Sequence, residues 1–508
     1  MSARTGIRRA AILAASASLA LVAAQPVGAA PSAPDGPQLA KKLTKDVTLE
    51  GVNRHLIAFQ RIADRNGGTR AAGTPGYDAS VDYVAGKLRA AGFDVTTPTF
   101  NYPVQITDAA AATVGGTTYE AIAMEFSPQT PVGGVTGPLR AVAEDGTPGC
   151  EASDFAGQDF TGAVALIRRG ACTFDQKHRN AAAAGAIAVI VYNNTPGAKL
   201  EGVTLGQPGV VPTGGVTAED GAALAARAGQ SVTVDLRYHT EERPSRNVIA
   251  QTRTGRKDNV VMAGSHLDSV EAGAGINDNG SGSAGLLETA LQLGGSPKVN
   301  NAVRFAWWGA EELGLVGSEK YVQGLTFEQQ LDIALYLNFD MIGSPNAAYF
   351  VYDGDDSDAV GAGAGPYGSA QIEQAFVDYL QGARGVPTEG TDFTGRSDYG
   401  EFILNGIPAG GLFTGAEGVK TEAQAAKWGG TAGQAYDPNY HGAGDNLGNI
   451  DRKALDVNSD ALAWVTASYA ISTESVNGVP PRAKRADARS AAKRSVRVAE
   501  HHSHAEAQ

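Results

Sequence analysis

"AVRFAWWGAEELGLVGS", Ala302 to Ser318, is an apolar run that stops at two adjacent carboxylates, Glu311 and Glu312, and passes into a glycine-rich turn. Apolar side chains at nearly every position mark a strand buried on both faces, because a half-wet strand alternates. The same texture recurs on both sides, in "NVIAQT" (Asn247–Thr252), "NVVMAGSHLDS" (Asn259–Ser269), "LYLNFDMIG" (Leu335–Gly343) and "IPAGGLF" (Ile407–Phe413), with helical segments such as "GSAGLLETALQL" (Gly282–Leu293) between them. Strands alternating with helices predict an α/β fold, a mostly parallel mixed sheet with helices on both faces. Functional groups of such sheets gather at the carboxyl ends of the strands. An exposed Glu-Glu pair is ordinary, so Glu311 and Glu312 gain meaning only from what the other strand ends carry.

They carry a consistent set. His266 and Asp268 end one strand in "SHLD", and one can be a ligand while the other orients its ring. Asp278 lies in the glycine-rich "GINDNGSG", Asp340 ends the strand of "LNFDMIG", and His441 sits in "PNYHGAGDN". Two imidazoles with three carboxylates make a nitrogen and oxygen set suited to zinc and too poor in oxygen for a dedicated calcium cage. One carboxylate bridging two ions, with a His and a further carboxylate on each, uses five groups and leaves one Glu over. The remaining histidines of the body, His55, His178 and His239, lie in segments that read as packing or surface.

Ahead of this region, "TLEGVNRHLIAFQRIADR" and "YDASVDYVAGKLRAAGF" have helical spacing, and "DVTTPTFNYPV" reads as an edge strand. Near residue 125 the texture changes to short β-like runs separated by Gly, Pro and Asp. Within that unit, "GAVALIRRGACTFDQKHRNAAAAGAIAVIVYNN" reads as strand, cysteine-bearing turn, alanine-rich helix and buried strand.

At 508 residues the chain has room for two or three domains, and its net charge of -13 disfavours nucleic acid as a partner. Residues 1–30 place Arg4, Arg8 and Arg9 before an Ala/Leu-rich run and a small-residue cleavage site, as in a signal peptide. The expected product is secreted and extracellular, with no membrane attachment after signal removal; both the general and the twin-arginine export routes stay open. In an exported chain Cys150 and Cys172 most simply form one disulfide, worth on the order of 3 kcal/mol by loop closure. Residues 480–508 open with a proline pair and carry basic residues and His501, His502 and His504, a disordered or removable tail.

The motifs "GSHLDS", "GINDNGSG", "WWGAEELGLVGS", "NFDMIGSPN", "GRSDYG" and "YHGAGDN", in this order, resemble the secreted bacterial di-zinc aminopeptidases, the leucine-preferring co-catalytic zinc exopeptidases. The resemblance spans residues 44–471 apart from 125–242, which resemble the inserted protease-associated domain; it divides the catalytic domain into 44–124 and 243–475. It implies two zinc ions per chain, with Asp278 bridging, His266 and Asp340 on one ion, Glu312 and His441 on the other, and Asp268 behind His266. It makes Glu311 the general base and Tyr440 the donor to the oxyanion. Met341, Arg396 and Phe413 would surround the substrate side chain, favouring a bulky apolar residue such as leucine on peptides with a free N-terminus.

Rival readings remain. Arg396 could clamp a carboxylate, as in a carboxypeptidase of the same fold. A single-zinc glutaminyl cyclase relative and a non-catalytic receptor relative share the fold. Where related enzymes often have two cysteines around the final Tyr-His, this chain has Asn439 and Gly444. A family calcium site corresponds by spacing to Asp46, Asp456 and Asp460, against the reading of these as surface carboxylates.

Overall fold

A computed structural model describes residues 36–477 apart from 198, 199, 201, 202, 360 and 362. The signal segment and the basic tail lie outside the described residues. In chain order the strands are β1 (Asp94–Thr96), β2 (Thr99–Val114), β3 (Thr117–Glu120), β4 (Ile122–Ala123), β5 (Val135–Ala141), β6 (Val164–Arg168), β7 (Ala188–Tyr192), β8 (Thr213–Val216), β9 (Ser231–Arg246), β10 (Val248–Gln251), β11 (Arg256–His266), β12 (Asn301–Trp308), β13 (Ile333–Phe339), β14 (Phe350–Tyr352), β15 (Glu389–Thr391) and β16 (Ala409–Phe413). They form two mixed sheets.

The first sheet has the order β1-β10-β12-β11-β13-β16-β14-β15. Its middle, β12-β11-β13-β16, is entirely parallel, and antiparallel pairings appear toward the edges. The apolar runs are explained by burial on both faces. On one side Val261, Ala263, Val303, Phe305, Trp307, Leu335 and Leu337 pack under the helices Leu49–Arg65, Pro75–Ala90, Gly282–Leu293 and Arg452–Ile471. On the other, Met262, Ala306, Trp308 and Tyr336 meet Val322 and Phe402 from the helices Val316–Gln323 and Gly400–Leu404. Alternate residues of one strand thus serve two cores.

Two of those helices start where local chemistry dictates. Thr48 and Thr74 accept the orphan N–H groups of Gly51 and Tyr77 with their side chains, and Pro75 takes the first turn of its helix, where its missing donor costs nothing.

The second sheet, β3-β2-β9-β5-β6-β7-β8-β4, contains the expected strand, helix and buried strand as β6, Phe174–Ala183 and β7. Cys150 and Cys172 are joined by a disulfide there. This sheet reaches back to Thr99, ahead of the expected boundary at residue 125. The edge strand of the first sheet is only β1; from Thr99 the chain enters β2, whose 16 residues pair antiparallel with the 16 of β9, from Thr99–Arg246 to Val114–Val232. At the base of this ribbon Tyr102, with Phe100 and Val104, packs on Ala310 and Val316, which flank Glu311 and Glu312.

Candidate metal centre

His266 is the last residue of β11, Glu311 and Glu312 follow β12, and Asp340 follows β13, so three neighbouring parallel strands deliver their ends to one point. Asp278 comes from an irregular turn before the helix Gly282–Leu293. That turn requires glycine at 275: φ is +59°, and a Cβ there would lie 2.4 Å from the carbonyl oxygen of Asp278. His441 arrives on the 436–446 loop.

The side chains converge. His266 Nε2 lies 3.2 Å from Asp278 Oδ1, 3.3 Å from Asp340 Oδ1 and 3.8 Å from Glu311 Oε2. His441 Nε2 lies 3.3 Å from the other Asp278 oxygen, Oδ2, and 2.9 Å from Glu312 Oε2. Asp278 therefore turns one oxygen to each histidine. Glu312 Oε1 and Asp340 Oδ1 are buried without a hydrogen-bond partner, an arrangement that costs free energy unless a cation meets them. His266 also forms ligand-spaced groups with Glu311 and Asp340 and with Asp278 and Glu312. A nitrogen and oxygen set of this kind fits zinc.

The charges point the same way. Burial pushes the Glu311 carboxyl well above its ordinary range, reinforced by Asp398 and Asp340 and opposed by His266. Burial and the Asp278 charge raise Glu312 to about 7. Burial works against the charged form of His441, yet its contacts with Asp278 and Glu312 carry it up to about 10. Buried carboxylates and imidazoles sharing protons in this way are a site that divalent cations would relieve.

The surrounding bonds hold the centre and add residues to it. The Asp268 carboxylate accepts the N–H groups of Glu311 (3.2 Å) and Glu312 (3.3 Å), and the His266 ring faces the Asp268 backbone carbonyl at 3.2 Å. Asp268 thus holds the Glu-Glu turn with its side chain and stands behind the histidine with both its main-chain carbonyl and, at 3.8 Å from His266 Nδ1, its Oδ1. Asp445 accepts from the N–H groups of Asn277 (2.7 Å) and Asp278 (2.9 Å), fixing the backbone that carries the Asp278 carboxylate. Ser397 donates to Asp340 Oδ2 at 2.7 Å and is itself held by Asn338. Asp445 and Ser397 lie inside "YHGAGDN" and "GRSDYG"; their presence in the motifs was the available signal, but nothing local indicates which group each one holds.

Next to the centre lies a cavity of about 550 Å³ whose lining includes Met341, Phe350, Tyr352, Phe413 and Tyr436 beside the metal-site side chains. Tyr440 and Arg396 stand at it, and Arg396 donates to Glu417 (2.8 Å) and to the Tyr440 hydroxyl (3.2 Å). The loop carrying Tyr440 and His441 is closed by amides: Asn439 Nδ2 donates to Asn449 Oδ1 at 2.7 Å, and Asn449 donates to Asp437 and Asp445.

The three carboxylates offered as a calcium site have protein partners of their own. Arg384 is bonded to both Asp456 and Asp460, and Asp46 pairs with Lys42 at 2.5 Å. A guanidinium already supplies the positive charge there.

A buried nitrogen and oxygen ligand set at the carboxyl ends of a mixed α/β sheet, with an apolar cavity beside it, defines a metallohydrolase. The chain belongs to peptidase family M28, whose pattern matches residues 247–466, and it carries a PA domain matching residues 135–224. It is similar to the "Probable lipoprotein aminopeptidase LpqL" of Mycobacterium tuberculosis, 50% identical over 456 residues covering 89% of this chain and 91% of that one. It is also similar to "Leucine aminopeptidase 2" of Trichophyton tonsurans, 43% identical over 448 residues covering 87% and 88% of the two chains. Among solved structures it resembles BSAP, a zinc aminopeptidase from Bacillus subtilis, with a TM-score of 0.64 at 25% identity, covering 82% of this chain and 94% of that one. The protein is a peptidase hydrolase.

Proposed function

We propose that this chain is an exported aminopeptidase that holds two zinc ions and removes a bulky apolar residue such as leucine from peptides with a free N-terminus. The observation that carries the reading is Asp278, with one oxygen toward His266 and the other toward His441. His266 and Asp340 would hold one ion, Glu312 and His441 the other. When bound, the ions supply Lewis acidity toward the scissile carbonyl and the attacking water.

The protein's own groups do the rest. Glu311, the carboxylate left over from the ligand count, takes the proton from the attacking water and returns it to the leaving amine. Tyr440 donates its O–H to the oxyanion. Glu311 and Asp340 face the place of a substrate ammonium, and the Met341 and Phe413 side chains favour an apolar first residue. Arg396, engaged with Glu417 and Tyr440, is a poor candidate for a carboxylate clamp, which supports cleavage from the N-terminus. The similarity to named aminopeptidases supports the same direction.

On this reading residues 1–30 are a removed export signal, residues 44–98 and 247–475 the catalytic unit, and the insertion runs between them. Among the described residues no helix is long and apolar enough to cross a membrane. The deciding experiment compares kcat/KM for one leucyl peptide in free, N-acetylated and C-amidated forms. N-acetylation should nearly abolish cleavage and amidation should leave it largely intact; the reverse pattern would reject the aminopeptidase.

A further inference from the structure

Arg70 lies in "NGGTRAAGTPG", between the helices Leu49–Arg65 and Pro75–Ala90 and outside every motif that carries the site chemistry. It is 0% exposed. A buried arginine ordinarily pairs with a carboxylate, yet among the described residues none lies within salt-bridge distance. Its partners are three backbone carbonyls: Nε donates to Ala274 O at 2.9 Å, Nη2 to Gly275 O at 2.6 Å, and Nη1 to Leu267 O. The Arg70 backbone N–H adds a bond to Ser269 Oγ at 3.0 Å.

All four acceptors belong to residues 267–275, the link between His266 and Asp278. Leu267 follows His266 directly. Gly275 is the left-handed residue that opens the turn of Asp278, and its carbonyl also receives the Gly280 N–H at 2.9 Å. One rigid planar fork therefore grips both ends of a segment whose own backbone makes no sheet or helix, leaving it little freedom to change the distance between the two ligands. The charges of Asp268, Asp445 and Asp278 lie close enough to the guanidinium to offset part of the cost of burying it.

We infer that Arg70 is a positioning residue for the metal centre: its fork locks residues 267–275 so that His266 and Asp278 are presented together before any ion binds. The inference rests on the reading of Asp278 as the bridging ligand. A lysine would place a single nitrogen where three directed donors are needed, so Arg70→Lys is an informative change despite keeping the charge.

The test begins with zinc titration of the metal-free wild-type protein by calorimetry; two sites are expected, and a single site would reject the two-ion reading without touching Arg70. Arg70→Lys and Arg70→Gln should then fold, by circular dichroism, and bind zinc about tenfold or more weakly. Their kcat should fall, with KM for leucine amide within about twofold of wild type, as expected when a ligand frame rather than a substrate contact is lost. Wild-type zinc affinities and kcat in a variant with only a lower Tm would overturn the inference, leaving Arg70 a fold residue. A third measurement needs no variant. Hydrogen exchange across residues 267–280 should show protection in the zinc-free wild-type protein, because Arg70 orders the segment in advance; protection that appears only on adding zinc would assign the ordering to the ion and sink the proposal.

Discussion

The guanidinium of Arg396 donates to the Tyr440 hydroxyl at 3.2 Å. A guanidinium has no acceptor, so Tyr440 accepts in this bond and its own proton stays available to a group in the cavity. The pairing leaves Tyr440 a donor at the cavity, as its proposed role toward the oxyanion requires.

Tyr440→Phe should therefore lower kcat by roughly 10²-fold or more, the scale for losing one oxyanion donor, with KM changed far less. Steady-state kinetics on leucine amide measures this. A kcat within about threefold of wild type would remove Tyr440 from the chemistry.

Glu311 and His441, the partner of Glu312, should respond differently to substitution. Glu311→Gln is expected to keep both zinc ions and to lose at least roughly 10²-fold in turnover, as general-base catalysis disappears. His441→Ala, which strips the partner of Glu312, is expected to release one ion. Metal analysis of the two purified variants, beside their kinetics, separates base from ligand; one lost ion in Glu311→Gln would move that residue into the ligand set.

The ribbon of β2 and β9 sets how the insertion can be removed. Deleting residues 125–242 would take away the partners of Pro103 to Val114 and is expected to give an aggregating protein. Deleting 108–237 and joining Thr107 to Tyr238, which face each other in the ribbon, through an Asn-Gly turn should fold and hydrolyse aminoacyl amides within a fewfold of the full chain. Loss of zinc binding in a well-folded version would show that the insertion supports the centre directly.

His178 in the second unit gives a pH dependence. Its Nε2 accepts the Val210 N–H at 2.7 Å, so the ring is neutral and its Nδ1 hydrogen faces Thr213 Oγ1, also at 2.7 Å. Burial depresses its pKa below 6.5, with Asp175 opposing and Arg179 assisting. A histidine depressed in the fold contributes stability that is present above the unfolded value and lost as pH falls through the folded one. Thermal melts of the full chain should thus show the unit weakening below about pH 6.5, and His178→Gln should flatten that slope. An unchanged slope in the variant would assign it to other groups.

The central sheet was legible because burial on both faces writes apolar runs into β11, β12 and β13, and the meeting of His266, Glu311, Glu312 and Asp340 was legible because they stand at the ends of those strands. What escaped shares a cause. Arg70, Asp445 and the Asp268 carboxylate act on backbone groups, and a backbone group leaves no mark in the sequence. β2 escaped for a related reason: its alanines and alternating polar residues find their partner in β9, more than a hundred positions away, and periodicity reports burial without naming a partner. The pairing of Asp456 and Asp460 with Arg384, remote from both in sequence, was likewise invisible in the spacing of the carboxylates.

The side-chain hydrogen bond from Asn439 to Asn449 carries a consequence for how the molecule matures. An Asn-closed loop needs no oxidant, so the segment bearing Tyr440 and His441 takes its shape equally well in a reducing cytosol and outside the cell. The single disulfide, Cys150 to Cys172, belongs to the other sheet. The hydrolytic half can thus finish assembling without thiol oxidation, while the half with the cysteines needs oxidising conditions to complete its covalent structure.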